Sequence, residues 1–248
     1  AAAAGLTDLA LASKSVAVTG AAYDLAKADL STTTLTLGNV RVADVATVDV
    51  TNTVITNALY QDKLDVAASG TNANLTVSSP ALVAAGTTGQ IGLAAAKAGV
   101  LDDTVSVGLT SNANGVLGLT NLALAGQSVA VTGVAYDYAK PTVASTLALG
   151  NVRTNTAATL GVANTVITNA LYQDSLDVVA GTAIGNLVLT NPANLAAGQA
   201  DVVGVAIGNA GSLTGTIVLG LTSKAAAAGL TDLALASKSV AVTGAAYD

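Results

Sequence analysis

The chain has no cysteine, histidine, methionine, tryptophan or phenylalanine in its 248 residues, and all of its 15 acidic side chains are aspartate. Without thiols there is neither a disulfide framework nor thiolate chemistry. Without imidazole there is neither the usual near-neutral base nor the commonest metal ligand. Charged residues reach only 10%, and seven lysines and two arginines against 15 aspartates leave a net charge of -6. No basic groove can be assembled from this set to follow a phosphate backbone, so nucleic acid is not an expected partner. Apolar runs are cut by Gly, Thr, Asn and Asp before they reach the roughly 20 residues that span a bilayer, and no basic region precedes an apolar stretch after Ala1. No transmembrane segment is expected.

What is present is aliphatic: hydrophobic residues make up 52%, the opposite of a disordered composition, and tyrosine is the only ring, at six positions. The chain should fold, as one large domain or two of ordinary size. Its core must be made of Val, Leu, Ile and Ala, which bury less area each than Phe or Trp. Contacts between units are therefore expected to add stability.

Internal repetition dominates the sequence. GNVR occurs at Gly38–Arg41 and Gly150–Arg153, and NTVITNALYQD at Asn52–Asp62 and Asn164–Asp174, both offset by 112 residues. SVAVTG followed by a Tyr-Asp pair occurs at Ser15–Asp24, Ser128–Asp137 and Ser239–Asp248. Residues 1–24 are identical to residues 225–248. If SVAVTGAAYD is the last strand of a unit, residues 1–24 are the C-terminal strand region of a preceding repeat, 25–137 a first unit and 138–248 a second. A period near 112 suits a domain and is long for a solenoid repeat.

Within a unit the period is two. Ala46, Val48 and Val50 alternate with Thr47, Asp49 and Thr51, and Val105, Val107 and Leu109 with Thr104, Ser106 and Gly108. Further strands are expected at Leu35–Val42, Lys63–Ala67, Asn74–Ser78, Gln90–Ala94 and Ser15–Gly20, with counterparts one repeat away. Short strands separated by Gly, Asn, Asp and Pro predict an all-β chain of tandem antiparallel sandwiches, the connections being too short for the crossover helices of a parallel sheet. Ala81–Ala85, Ala94–Ala98 and Ala225–Ala228 suit either one-turn helices or small-residue strands. Pro80 and Pro192, which cannot donate to a ladder, should open the same surface loop in each unit.

The stretch Leu35–Thr53, with Gly38, Asn39 and Val40 followed by an alternating strand ending at Thr51-Asn52-Thr53, resembles the choice-of-anchor D repeats of large bacterial surface proteins, which are similar to immunoglobulin-like domains of the abnormal-spindle type. Tyr60–Asp62 and Tyr172–Asp174 also look like that group. Members commonly carry Phe before the GNV step and Gly after the second Val; here those positions hold Leu37 and Ala43, and in the second unit Leu149 and Thr154. The resemblance implies immunoglobulin-like sandwiches, a secreted, cell-surface or extracellular-matrix location and a structural role, with no catalytic residue to carry over.

Several residues invite a functional reading. Asp62 and Asp65, matched by Asp174 and Asp177, could take calcium with Asn57 or Asn169, although the dense spacing and closing acid of an EF-hand loop are missing and a structural or solvated role is the stronger reading. No other cofactor is implied. Tyr60 and Tyr172 are expected to pack over the open end of a sandwich, and Tyr23, Tyr136, Tyr138 and Tyr247 to sit where units join. Arg41 and Arg153 share one repeat position, as a fork to an Asp of the same or adjacent unit or as ordinary solvent-facing residues. Asn74-Leu75-Thr76 is a glycosylation sequon that the second unit lacks.

No nucleophile, base and orienting group can be assembled, and a two-aspartate glycosidase would want the aromatic cleft that this chain cannot build, so a non-enzyme is expected. The sequence reading is a structural repeat unit of an extracellular filament, sheath or surface layer, self-associating end to end through strands and end faces. Its rival is the stalk or ligand-binding repeat region of a bacterial adhesin.

Overall fold

The computed structural model describes Ala4 and residues 10–248. The strand expected at Ser15–Gly20 lies inside this range, whereas most of residues 1–9 of the expected preceding-repeat tail lie outside it.

The described chain is all-β and forms two sandwiches in tandem. In the first, one sheet carries β1 (Ala28–Leu30), β3 (Val45–Asn52), β6 (Thr88–Ala95) and β5 (Leu75–Ser78) in that order. The facing sheet carries β2 (Thr34–Arg41), β10 (Gln127–Tyr136), β8 (Asp103–Asn112) and β4 (Lys63–Ser69), with β7 (Gly99–Val100) on β10 and β9 (Leu122–Ala123) on β8. The second repeats this plan. Its first sheet is β11 (Pro141–Val143), β13 (Ala157–Asn164), β16 (Ala200–Ile207) and β15 (Leu187–Thr190). Its second is β12 (Thr146–Arg153), β19 (Leu233–Tyr247), β18 (Gly215–Lys224) and β14 (Ser175–Thr182), with β17 (Gly211–Ser212) on β19. Among the described residues no strand crosses from one sandwich into the sheets of the other.

Alternation explains which side chains are inside. Val48 and Val50 on β3, Ile91 and Leu93 on β6, Val105 and Val107 on β8, and Val129 and Val131 on β10 face one another in the first core, all but sealed from solvent. Leu160, Val203, Val205, Ile217, Leu219, Val240 and Val242 do the same in the second. Each such side chain contributes about 1.5–3 kcal/mol relative to exposure. No tyrosine belongs to either core.

Most pairs are antiparallel, but β2 runs parallel to β10 and β12 parallel to β19. The tandem antiparallel sandwiches expected from the sequence are present, with one parallel pair in each that the short connections did not suggest. The parallel partners lie near the two ends of a unit, so the rest of the sandwich serves as their crossover and no helix is needed. The two repeated motifs meet in this pair: Gly38 of GNVR faces Gly133 of SVAVTG across a register shift, and Gly150 faces Gly244. Gly38 and Gly150 hold φ of 67°, while a Cβ on Gly244 would stand 2.6 Å from the Gly150 carbonyl oxygen. Only glycine fits both sides of this bulge.

The alanine-rich runs are not helical. The helical turns among the described residues are short 3₁₀ turns at Ala58–Tyr60 and Ala170–Tyr172, each capped by an asparagine, Asn57 or Asn169, whose side-chain oxygen accepts the N–H two residues on. Pro80 and Pro192 each follow a short edge strand, β5 or β15. No helix among the described residues is long and apolar enough to cross a membrane.

Candidate functional site: the junction between the two sandwiches

The last strand of the first sandwich, β10, ends at Tyr136, and Asp137 at once joins the second: its N–H donates to the Tyr172 carbonyl at 2.9 Å, and the Asp174 N–H donates to its carbonyl at 3.0 Å. The 3₁₀ turn presents Tyr172 so that its ring meets Tyr136 edge to face, with centroids 5.9 Å apart. At the start of the first sandwich Asp24 holds the same place, with N–H to Tyr60 carbonyl at 2.8 Å and Tyr23 edge-on to Tyr60 at 5.6 Å. Tyr60 and Tyr172 therefore pack on the entering chain rather than over the core.

Arg41 closes the junction from the first sandwich. It ends β2, and its guanidinium lies 2.8 Å from Asp174 Oδ2 of the second sandwich, with side chains 9% and 0% exposed. This is a charge contact, its N–H not aligned on the oxygen. The other guanidinium nitrogen donates to the Thr231 carbonyl at 3.0 Å, and the plane stacks over Tyr138 at 4.4 Å from the ring centre. Nearby, Asn39 donates to the Ala228 carbonyl at 3.0 Å. A buried arginine is tolerated because carboxylate, carbonyl and π face all meet it.

Asp174 is held from its own side as well. Ser223 on β18 donates to Oδ2 at 2.7 Å and accepts the Ala139 N–H at 2.8 Å, while the Ala226 N–H donates to Oδ1 at 2.9 Å. Beneath it, Asn164 at the end of β13 makes four bonds. It accepts from Lys140 N–H and the Gln173 amide, and donates to the Asp174 and Leu195 carbonyls, all at 2.9–3.1 Å. Asn52 does the same with Lys27, Gln61, Asp62 and Val83. The repeated NTVITNALYQD is thus a buried polar clamp, with Asn, Gln and Asp at its two ends, that ties each sandwich to the segment entering it.

Each of the six tyrosines lies at a unit end. Tyr23 and Tyr60 stand at the start of the first sandwich, Tyr136, Tyr138 and Tyr172 at the junction, and Tyr247 at the end of the second, paired in register with Arg153. Arg153 occupies the repeat position of Arg41 but is exposed and donates to the Asp248 backbone carbonyl. At the opposite end Asp62, the counterpart of Asp174, is buried and accepts from Ser111 at 2.8 Å through Oδ2, while its Oδ1 has no hydrogen-bond partner among the described residues.

The other sequence candidates fall elsewhere. Asp65 is exposed on β4, and Asn57 and Asn169 are occupied as caps, so neither joins Asp62 or Asp174. Among the described residues no cluster of three or more acidic side chains could hold a metal. Asn74 uses its amide to reach the Val100 carbonyl at 3.1 Å. The left-handed residue after GNVR is Ala43 (φ 76°) in the first unit and Asn155 (φ 60°) in the second, not Thr154. At the 112-residue offset of GNVR, Thr154 matches Val42 and Asn155 matches Ala43, so the left-handed position is the same in both units, and asparagine adopts that backbone more readily than threonine. Sequence reasoning missed Asn52 and Asn164, Gln61 and Gln173, and Ser111 and Ser223. Their repetition at matching positions was the available signal.

No protein-family model matches the chain, and no curated protein matches it. Among solved structures it is similar to the D00-D0 domain of intimin, at 13% identity and a TM-score of 0.33, covering 86% of this chain and 99% of that one. It is also similar to domains 4–9 of the surface layer protein SbsC, at 16% and 0.27, covering 89% of this chain and 31% of that one. The adhesin InvE of Yersinia pseudotuberculosis gives 13% and 0.27, covering 87% of this chain and 58% of that one. The likeness to choice-of-anchor D repeats rests on the residues named above.

Proposed function

We propose that the chain is a structural segment of an extracellular filament, sheath or surface layer, in which sandwiches follow one another in a fixed order and carry load through their junctions. The observation that carries this reading is the Arg41–Asp174 contact. A buried ion pair, backbone bonds across the linker and an aromatic pair bind consecutive sandwiches without a free linker residue between Tyr136 and Tyr138. Such a joint resists bending, unlike the polar interfaces that let domains move. The composition supports it too: with no cysteine or histidine and every ring placed at a unit end, the chemistry is concentrated at joints and none is arranged as a catalytic set. The surface location follows from the family resemblance and from this mechanical role.

Electron microscopy of the purified chain tests the reading. Regular end-to-end order is expected, with a repeat set by the two-sandwich length. Loose single rods at high protein concentration would instead favour the stalk of an adhesin.

A further inference from the structure

One sequence has two fates in this molecule. Residues 10–23 carry the same side chains as 234–247, yet among the described residues they form no strand, and Val16 and Val18 are 84% and 90% exposed. Their copies Val240 and Val242 are 0% and 1% exposed, inside the second core on β19. A Cβ on Gly20 would meet nothing within 4 Å, whereas one on Gly244 would strike Gly150. The expectation of a strand at Ser15–Gly20 fails because a strand needs neighbours, and its identical copy has β12 on one side and β18 on the other.

Arg153 and Asp62 are unmatched in a complementary way. Arg153 has the position of Arg41 without a carboxylate, and Asp62 has the position of Asp174 without an arginine. Both pairs are separated by the same 112-residue offset.

We propose that the occupant of the slot between β12 and β18 can be the segment 10–24 of a second copy of this chain, which replaces residues 234–248 and brings Asp62 of the incoming copy onto Arg153. This rests on the end-to-end reading and gives it a mechanism. The exchange is neutral in strand contacts, because the displaced and incoming side chains are identical. The gain is the charge contact of Arg153 with Asp62, while the bonds of Asp24 to the Tyr60 turn and the Tyr23–Tyr60 pair, already made within each chain, hold the incoming segment against its own sandwich as Asp137 and Tyr136 are held at the junction. A contact between different surfaces of the two copies does not close on itself and continues as a filament.

The register fixes the test. On β18, Thr216 faces Ala241, so in the exchanged pair it faces Ala17, and all three are exposed. The chain has no cysteine to interfere. An Ala17→Cys chain and a Thr216→Cys chain are mixed, annealed near their melting midpoint so that the slot opens, cooled and oxidised. A Thr216→Cys/Ala241→Cys chain serves as the control for register.

The expected product is a disulfide between the two introduced thiols, position 17 of one chain joined to position 216 of the other, identified by peptide mapping. Gly20→Val placed in the Ala17→Cys chain should reduce it at least tenfold, because this side chain is free in the tail and has no room in the slot. The proposal is overturned if the control closes fully within one chain while the mixed pair yields no such disulfide, or if Gly20→Val leaves the yield unchanged. End-to-end rods in the micrographs without that disulfide would reject strand exchange and keep end-to-end assembly. Single rods without it would reject both.

Discussion

Arg41 and Arg153 hold the same place in two copies of one repeat, so truncating each to alanine isolates the contribution of the junction. Arg41 lies 2.8 Å from a carboxylate that is 0% exposed. At an effective dielectric near 20 the attraction at that distance is about 6 kcal/mol before desolvation, which takes back most of it. Removing one partner of a buried pair strands the other, at a typical cost of about 3–5 kcal/mol. Asp174 keeps two donors, Ser223 and the Ala226 N–H, which places Arg41→Ala near the lower figure, about 3 kcal/mol. Loss of the stacking on Tyr138 adds roughly 0.5–1 kcal/mol. Arg153→Ala removes an exposed side chain and should stay within about 0.5 kcal/mol. Urea unfolding of both variants beside the parent chain gives the comparison, and adding Asp174→Asn to Arg41→Ala should recover part of the loss, since the stranded charge is then gone. Equal shifts for the two arginine variants, or no coupling between positions 41 and 174, would refute the account of the junction as a buried electrostatic lock.

Other expectations follow from the same coordinates. Asn52→Ala or Asn164→Ala leaves buried amide and carbonyl groups unpaired and should cost about 3 kcal/mol or more by urea unfolding, whereas Asn57→Ala, an exposed cap, should cost about 1 kcal/mol. Ala43→Gly relieves a left-handed alanine and should stabilise by about 0.5–1 kcal/mol, more than Asn155→Gly, read as a change in the urea midpoint at constant slope. Burial pushes the Asp103 carboxyl up, but the N–H groups of Asn72, Thr71 and Thr104 and the Thr71 hydroxyl outweigh it and hold it below the usual carboxylate range. Its folded pKa is thus depressed, so its stabilisation is complete above about pH 4 and is lost as pH falls through the folded value. Asp103→Asn should flatten the acid limb of a stability–pH curve below about pH 4, and an unchanged limb would show that the 70–72 loop is held by other means.

How much of this was legible in the sequence depends on the distance over which each signal acts. Alternation is local, and Val48 and Val50 or Val105 and Val107 announced their inward face without any partner being known. The repeats announced that something at Gly38, Asn52 and Arg41 mattered, but not what, because each acts through a residue far along the chain. Gly38 is fixed by Gly133 across a bulge, Asn52 by Lys27 and Val83, and Arg41 by an aspartate in the other sandwich. Short loops carry no information against the parallel β2–β10 pair, because the connection between these strands is the rest of the sandwich. The strand expected at Ser15–Gly20 shows the general limit. Its side chains are those of a buried strand at 239–244, and period-two alternation specifies which face would be buried if neighbours are present, while the neighbours decide whether the strand exists. Local pattern therefore determined the interior of each sandwich and left undetermined what meets its ends, which is where the rings and both arginines of this chain are found.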